Sequence, residues 1–327
     1  MKSWISSTRA IALVLAALLA LLVWVALQAR PSTEAVRLRN ALLFQVGTPA
    51  DFDWRPEQRP ASFATDTAVP DQPFADPVRG LALATQPDDW SRALQIANHL
   101  IRHARQGGAA RSDLAGTYQQ ILAGSGYCAD YTTTFIAMAG SAGMFAREWA
   151  FSFDGFGGHG HALIEIWDRQ RQAWFMLDVF NNWVPLDASS NTPMSVAEFR
   201  HRLVQAPGSV RIERIGPGRF GFRNEAALWD YYRAGADQWY LWWGNAVYAY
   251  DASPATRWLG SLSRAAEQLG AVAVGVHPKV MAVPSATNAP LRERMLDLKQ
   301  KLYAAFGLGS VLSLVLFSQL FIRWRRR

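Results

Sequence analysis

Two stretches of this chain are apolar at almost every position. Between them, apolar residues recur with the periods of amphipathic helices and strands. The first stretch, AIALVLAALLALLVWVAL (10–27), contains no charge and no helix breaker. The second, YAAFGLGSVLSLVLFSQLFI (303–322), runs into the basic sequence RWRRR. A helix needs roughly 20 apolar residues to cross a bilayer, and in lipid only a helix or a closed barrel satisfies every backbone polar group. Cleavage of the first stretch as a signal peptide is the rival reading, but a cut after Ala29 would place Leu27 where a small residue is wanted. The pattern therefore predicts transmembrane helices over 10–28 and 303–322, flanked by a tail at 1–9 and a basic tail at 323–327.

From 29 to 89 the pattern loses any period: PAD, RPEQRPA and VPDQPFADP interrupt it, which predicts a spacer with short ordered pieces draped over the domain. At Asp88 and Asp89 the period becomes helical, with Trp90, Leu94, Ala97, Leu100 and Ile101 on one face behind an acidic first turn. A second helix, DLAGTYQQILAG, runs up to Gly124 and Gly126, and a third starts near Cys128 and ends at Gly143. Three alternating or apolar stretches follow, REWAFSF, HALIEIWD and AWFMLDVF, separated by DGFGGHG and RQRQ; they read as antiparallel strands joined by turns, the first turn a flexible one. This places a core of helices followed by a sheet at 90–190, an α+β architecture. Residues 191–302 form an aromatic-rich extension of the soluble domain, with a helix at SVAEFRHRLV and a strand pair around VRIERIGPGRFGF. It ends in an amphipathic helix, LRERMLDLKQKL, that leads into the second apolar stretch.

Charge changes the picture in one respect. The formal net charge is +7, but Lys2, Arg9, Arg323, Arg325, Arg326 and Arg327 contribute most of it, so the section between the apolar stretches is nearly neutral. The basic balance belongs to membrane flanks and argues against a nucleic-acid surface. Arg30, Arg37 and Arg39 follow the first stretch and Lys299 and Lys301 precede the second, so only the short tails decide orientation. They predict two spans of the inner (plasma) membrane, both termini cytoplasmic and the soluble domain extracytoplasmic, in the periplasm of a Gram-negative cell. The single cysteine excludes an internal disulfide in either compartment.

That cysteine is the candidate for chemistry. A thiolate nucleophile is favoured by a helix N-terminus and by a neighbouring imidazolium. In GSGYCADYTTTFIAMAGSAG, small residues lead into Cys128 and a helix leads away from it, so the first turn can also offer N–H groups to an oxyanion. His161 opens the strand HALIEIWD and Asp178 closes the next, AWFMLD, and two adjoining antiparallel strands can set them side by side. At these residues the chain resembles the transglutaminase-like superfamily: GYC at 126–128, GMFAR at 143–147, HALIEIW at 161–167 and WFMLD at 174–178 follow its order and spacing from about Trp90 to Pro185. Leu163 stands where the family often has Trp, and Val179 where it often has Pro. The resemblance implies a papain-like fold in which Cys128 attacks an amide carbonyl to form a thioester, His161 moves the proton and Asp178 fixes the imidazole. Water would complete a hydrolysis and an amine an acyl transfer, on a peptide-like or amine-bearing substrate, without a cofactor.

Other readings compete. His159 is a second candidate base, and GHGH invites a metal, as do His99 and His103, four apart on a helix; no third ligand with convincing spacing completes either set. Gln119 and Gln120 are candidate oxyanion donors. Trp229, Tyr231, Tyr232, Trp239, Tyr240, Trp242 and Trp243 can fill a core, anchor at lipid headgroups or stack on a sugar, in that order of expectation. The rival to an enzyme is a binding module with the same fold, held within an envelope or polysaccharide assembly by partner proteins.

Overall fold

The computed structural model of the chain describes residues 8–28, 32–70, 73–105, 108 and 113–325. Residues 1–7 of the expected first tail, Arg30, and Arg326 and Arg327 of the second tail lie outside the described residues.

In chain order, α1 (Thr8–Gln28), α2 (Ser32–Leu43), β1 (Phe44–Val46) and α3 (Ala75–Gly80) are followed by three helices, α4 (Asp89–Ile101), α5 (Leu114–Leu122) and α6 (Cys128–Ser141). Strands β2 (Ala146–Ser152), β3 (Gly160–Asp168), β4 (Ala173–Leu177) and β5 (Trp183–Asp187) come next. The remainder comprises α7 (Val196–Gln205), β6 (Val210–Arg214), α8 (Glu225–Ala234), β7 (Trp239–Trp243), α9 (Val247–Ala252), α10 (Pro254–Gly260), α11 (Arg264–Ala273), β8 (Lys279–Ala282) and α12 (Ala289–Arg325).

A six-stranded sheet in the order β1-β8-β7-β2-β3-β4 organises the soluble part as an α+β fold. All its pairings are antiparallel except β1 with β8. Alternation along β3 and β4 sorts side chains to two faces. Ile164, Ile166, Phe175 and Leu177 pack under α4, α5 and α6. Leu163, Trp167, Trp174 and Met176 join a second, tryptophan-rich core with Trp149, Trp183 and Trp239. The sequence signals at the helix ends are realised locally: the Asp88 carboxylate caps α4 by accepting from Ser91 N–H at 2.7 Å, and Ser195 caps α7 from Glu198 N–H at 3.1 Å.

Three sequence expectations change. The 29–89 segment is more than a draped spacer: α2 and β1 belong to the domain, with β1 at the sheet edge and Asn40, Ala41 and Phe44 fully buried. The 191–302 extension contributes to the sheet itself, because β7 and β8 are interior strands, lying between β1 and β2. Alternation explains β7, whose Trp239, Leu241 and Trp243 fill the tryptophan-rich core while Tyr240 and Trp242 fill a third core beneath α2 and α12. Finally, VRIERIGPGRFGF is not a strand pair. Only Val210–Arg214 is a strand, paired with β5, because the rest wraps the turn after β4. There Asn182 Nδ2 donates to Gly218 O at 2.8 Å and Gly221 N–H to Asn181 O at 3.1 Å.

The apolar stretches are two exposed helices, each long and apolar enough to cross a membrane. The amphipathic segment and the second stretch form one continuous helix of 37 residues, about 55 Å long at helical rise. α1 and α12 pack alongside each other: a Cβ at Gly309 would lie 3.3 Å from Leu21, and Arg323 reaches Thr8 at 3.4 Å.

Candidate active site

The approach to α6 is set by Gly126, whose φ of +139° suits only glycine; a Cβ there would also press on the Tyr131 ring at 3.1 Å. The chain then turns into the helix at Cys128, its first residue, and Asp130 closes the turn by accepting from Tyr127 N–H at 2.8 Å. The sulfur is thus carried at the positive end of a 14-residue helix, half-buried rather than sealed in the core.

His161 is the second residue of β3 and is buried. Asp178 lies one step beyond β4, and the β3–β4 register, with Ile164 opposite Leu177, carries it to the same face as His161. The two meet through His161 Nε2 and Asp178 Oδ2 at 2.7 Å. An ionised carboxylate only accepts, so Nε2 carries the hydrogen and Nδ1 is the nitrogen left for the Cys128 sulfur, which lies close enough to act on the ring's charge.

Asp178 is completely buried and receives four hydrogen bonds: from His161, from Asn181 N–H at 3.0 Å, from Asn181 Nδ2 at 2.8 Å and from the Tyr232 hydroxyl. That uses the acceptor capacity of a carboxylate. Burial works to raise its pKa, but the His161 charge and these donors outweigh it and hold Asp178 below the usual carboxylate range. Burial likewise opposes a charge on His161, and the Asp178 carboxylate and the Cys128 sulfur override it, pushing the imidazole up to about 10. His161 is therefore an imidazolium at neutral pH, next to the sulfur.

Asn181 and Tyr232 were not singled out as site residues from the sequence. Asn181 had a local signal, since Asp-x-x-Asn can close a turn through the Asp side chain. Tyr232 is brought from α8, and its hydroxyl also accepts from Trp183 Nε1 at 3.1 Å. Beside it, Tyr231 packs edge-on to the His161 ring, with centroids 5.7 Å apart.

Cys128 and His161 open on a cavity of about 740 Å³ that continues past Glu148, Tyr240 and Trp242 to Arg39. Thr132, one turn along α6 from Cys128, donates to Ala129 O at 3.0 Å and lies near the Glu148 carboxyl. Burial raises that carboxyl to about 8, against the opposing effects of Thr132 and Arg39. The glycine-rich turn before His161 is pinned rather than free. Arg37 Nη1 donates to Gly155 O at 3.1 Å, Asn40 Nδ2 to Phe156 O at 2.8 Å, and Gly155 N–H to Gln238 Oε1 at 2.5 Å.

The other candidates lie apart from this group. His159 is exposed in the turn, edge-on to Phe153. His99 is half-buried and bonded to the Tyr118 hydroxyl at 2.8 Å, while His103 is exposed. Among the described residues no group of three or more His, Cys, Asp or Glu is placed to hold a metal ion. Gln119 is exposed, and neither it nor Gln120 lines the cavity.

Compared with known protein families, residues 79–188 match the model of the transglutaminase-like superfamily. The chain carries a transglutaminase-like domain. Comparison with curated proteins and with solved structures gave no match. The matched segment holds Cys128, His161, Asp178 and Asn181, whereas Tyr232, β7 and β8 come from outside it. The remaining motif residues of the transglutaminase-like domain, Arg147 and Glu165, are a buried ion pair at 2.7 Å on the tryptophan-rich face.

Proposed function

We propose that this chain is a membrane-anchored thiol enzyme that cleaves or transfers an acyl group through a Cys128 thioester. The observation that carries this is a cysteine at a helix N-terminus, opening on a cavity that it shares with an imidazole whose far nitrogen is held by Asp178 at 2.7 Å. In the reaction, the sulfur forms a bond to the carbonyl carbon of a peptide-like substrate and the carbonyl electron pair moves to oxygen, facing the positive end of α6. Collapse breaks the carbon–nitrogen bond, and His161 gives its Nδ1 proton to the departing amine. Water or a second amine then attacks the thioester while His161 takes its proton, and the sulfur leaves. Asp178 keeps the imidazole oriented and offsets its charge throughout.

α1 and α12 would hold this domain at the membrane. Because Thr8 neighbours Arg323, the far ends of both helices lie on one side and the folded domain on the other. The basic residues Arg9, Arg323 and Arg325 favour the cytoplasm for the first side, which supports reading the domain as extracytoplasmic, periplasmic in a Gram-negative cell.

Alkylation rates test the chemistry. An activated Cys128 should react with iodoacetamide near pH 7 at least about tenfold faster than a free thiol, and His161→Ala should abolish the excess. Equal rates in both proteins would overturn the enzymatic reading in favour of a binding module with this fold.

A further inference from the structure

Outside α1 and α12, exposed large apolar side chains gather on one helical hairpin. Trp258 is 69% exposed, Leu262 68%, Leu269 57% and Val274 52%, all on α10, α11 or the residues bordering them. The opposite side of the hairpin is a wall of the Cys128 cavity, to which Arg264, Glu267 and Gln268 contribute. It is held there by Tyr250 to Glu267 at 3.0 Å, Arg39 to Gln268 at 2.8 Å and Arg264 to Asp130 at 3.1 Å. Leu262 belongs to both surfaces: it lines the cavity and is exposed, which places it at the mouth.

The hairpin is continuous with the foot of the membrane anchor. From α11 the chain enters β8 at Lys279, which lies close enough to Lys299 for their charges to repel. Lys299 stands on α12 four residues before the apolar run that starts at Tyr303, about 6 Å along the helix axis. Lys279 and Lys299 lie at the base of the hairpin, beside the start of the apolar run. Exposed apolar side chains with a tryptophan, on an element whose chain runs on to lysines beside a span, form the pattern of a surface that lies in lipid headgroups.

We propose that the α10–α11 hairpin rests in the headgroup layer of the bilayer that holds α1 and α12, so that the cavity mouth opens at the membrane surface and the acyl substrate is an amphiphile carried in the bilayer. This deepens the proposed function and rests on reading α1 and α12 as spans. In solvent the exposed apolar side chains would be a liability, whereas at the acyl boundary they are buried on the same side from which an amphiphile would enter.

The single cysteine makes the test direct. In the full chain carrying Cys128→Ala, Leu262→Cys, Val204→Cys and Leu314→Cys are each labelled with an environment-sensitive fluorophore in nanodiscs of zwitterionic and anionic lipid. Nitroxides are placed on the headgroup or deep in the chain. Leu314→Cys should be quenched by the deep nitroxide, Leu262→Cys by the shallow one, and Val204→Cys, exposed on α7, by neither. Quenching at 314 with 262 behaving like 204 would overturn this inference alone, and no quenching at 314 would overturn the membrane reading with it. In the native-cysteine chain, Trp258→Asp with Leu269→Asp, neither of which lines the cavity, should slow Cys128 alkylation by an iodoacetamide bearing a long alkyl chain roughly fivefold. Alkylation by iodoacetamide itself should be unchanged; equal effects on both reagents would overturn the substrate assignment.

Discussion

At the residue scale, the centre of gravity of the site is Asp178 rather than the cysteine. A buried carboxylate without partners would lose its charge, and here four donors keep it ionised. Its partner His161 is held above the ordinary histidine value of 6.5, near 10, so the pair contributes stability that is fully present below about pH 6.5 and is lost as pH rises through 10. On the acid side, the lowered Asp178 contributes stability above its ordinary value of 3.8 that disappears as pH falls through its depressed value. Denaturant unfolding of the wild type between pH 6 and pH 10 should show the alkaline decline, and His161→Gln should flatten it. Tyr232→Phe removes one donor to a buried charge while keeping the ring, and should cost about 1.5–3 kcal/mol of unfolding free energy at neutral pH. A cost near zero would show that Asn181 and His161 suffice.

At the scale of elements, β2 and β3 are joined by more than their ladder. Arg147 and Glu165 face each other in register, both buried, and the guanidinium lies 3.8 Å from the centroid of the Trp174 ring. Glu165 also accepts from Trp149 Nε1 and from Val196 N–H, each at 2.7 Å, and so ties the start of α7 to the sheet. Removing the carboxylate leaves Arg147 charged and unpaired in the interior, which costs about 3–5 kcal/mol. Glu165→Ala should therefore lower the melting temperature sharply, and Cys128→Ala, which leaves this pair intact, should not; similar melting curves for the two variants would contradict a structural role for these motif residues. The same scale explains why the turn before His161 is fixed despite its glycines. α2 bonds to it through Arg37 and Asn40, so the segment just after the first apolar helix helps position His161.

For the whole molecule, the apolar helices form an antiparallel pair with close contact at Gly309 and Leu21. The adjacency of Thr8 and Arg323 requires reporters fused at the two ends of the chain to lie in the same compartment. Reporters that give opposite sides would contradict it, and the sign of the common result fixes the side on which Cys128 lies. The rest of the molecule is built around a sheet in which β8 and β7, from the carboxy-terminal third, lie between β1 and β2.

Local pattern in the sequence determined the two apolar helices, α4 and α6, the strands β2, β3 and β4, and the placement of Cys128, His161 and Asp178 at the ends of such elements. Hydropathy, periodicity and turn residues act between neighbours in the chain, and these features depend on nothing else. Tertiary structure alone decided that Phe44–Val46 pairs with Val280–Ala282, that β7 lies between β8 and β2, and that Tyr232 closes on Asp178. Alternation tells which face of a strand is buried but not which strand covers its edge, and a hydroxyl within an aromatic run gives no sign of the carboxylate it will meet. Those choices are made when distant segments compete to fill one core, and packing, not local preference, selects among them.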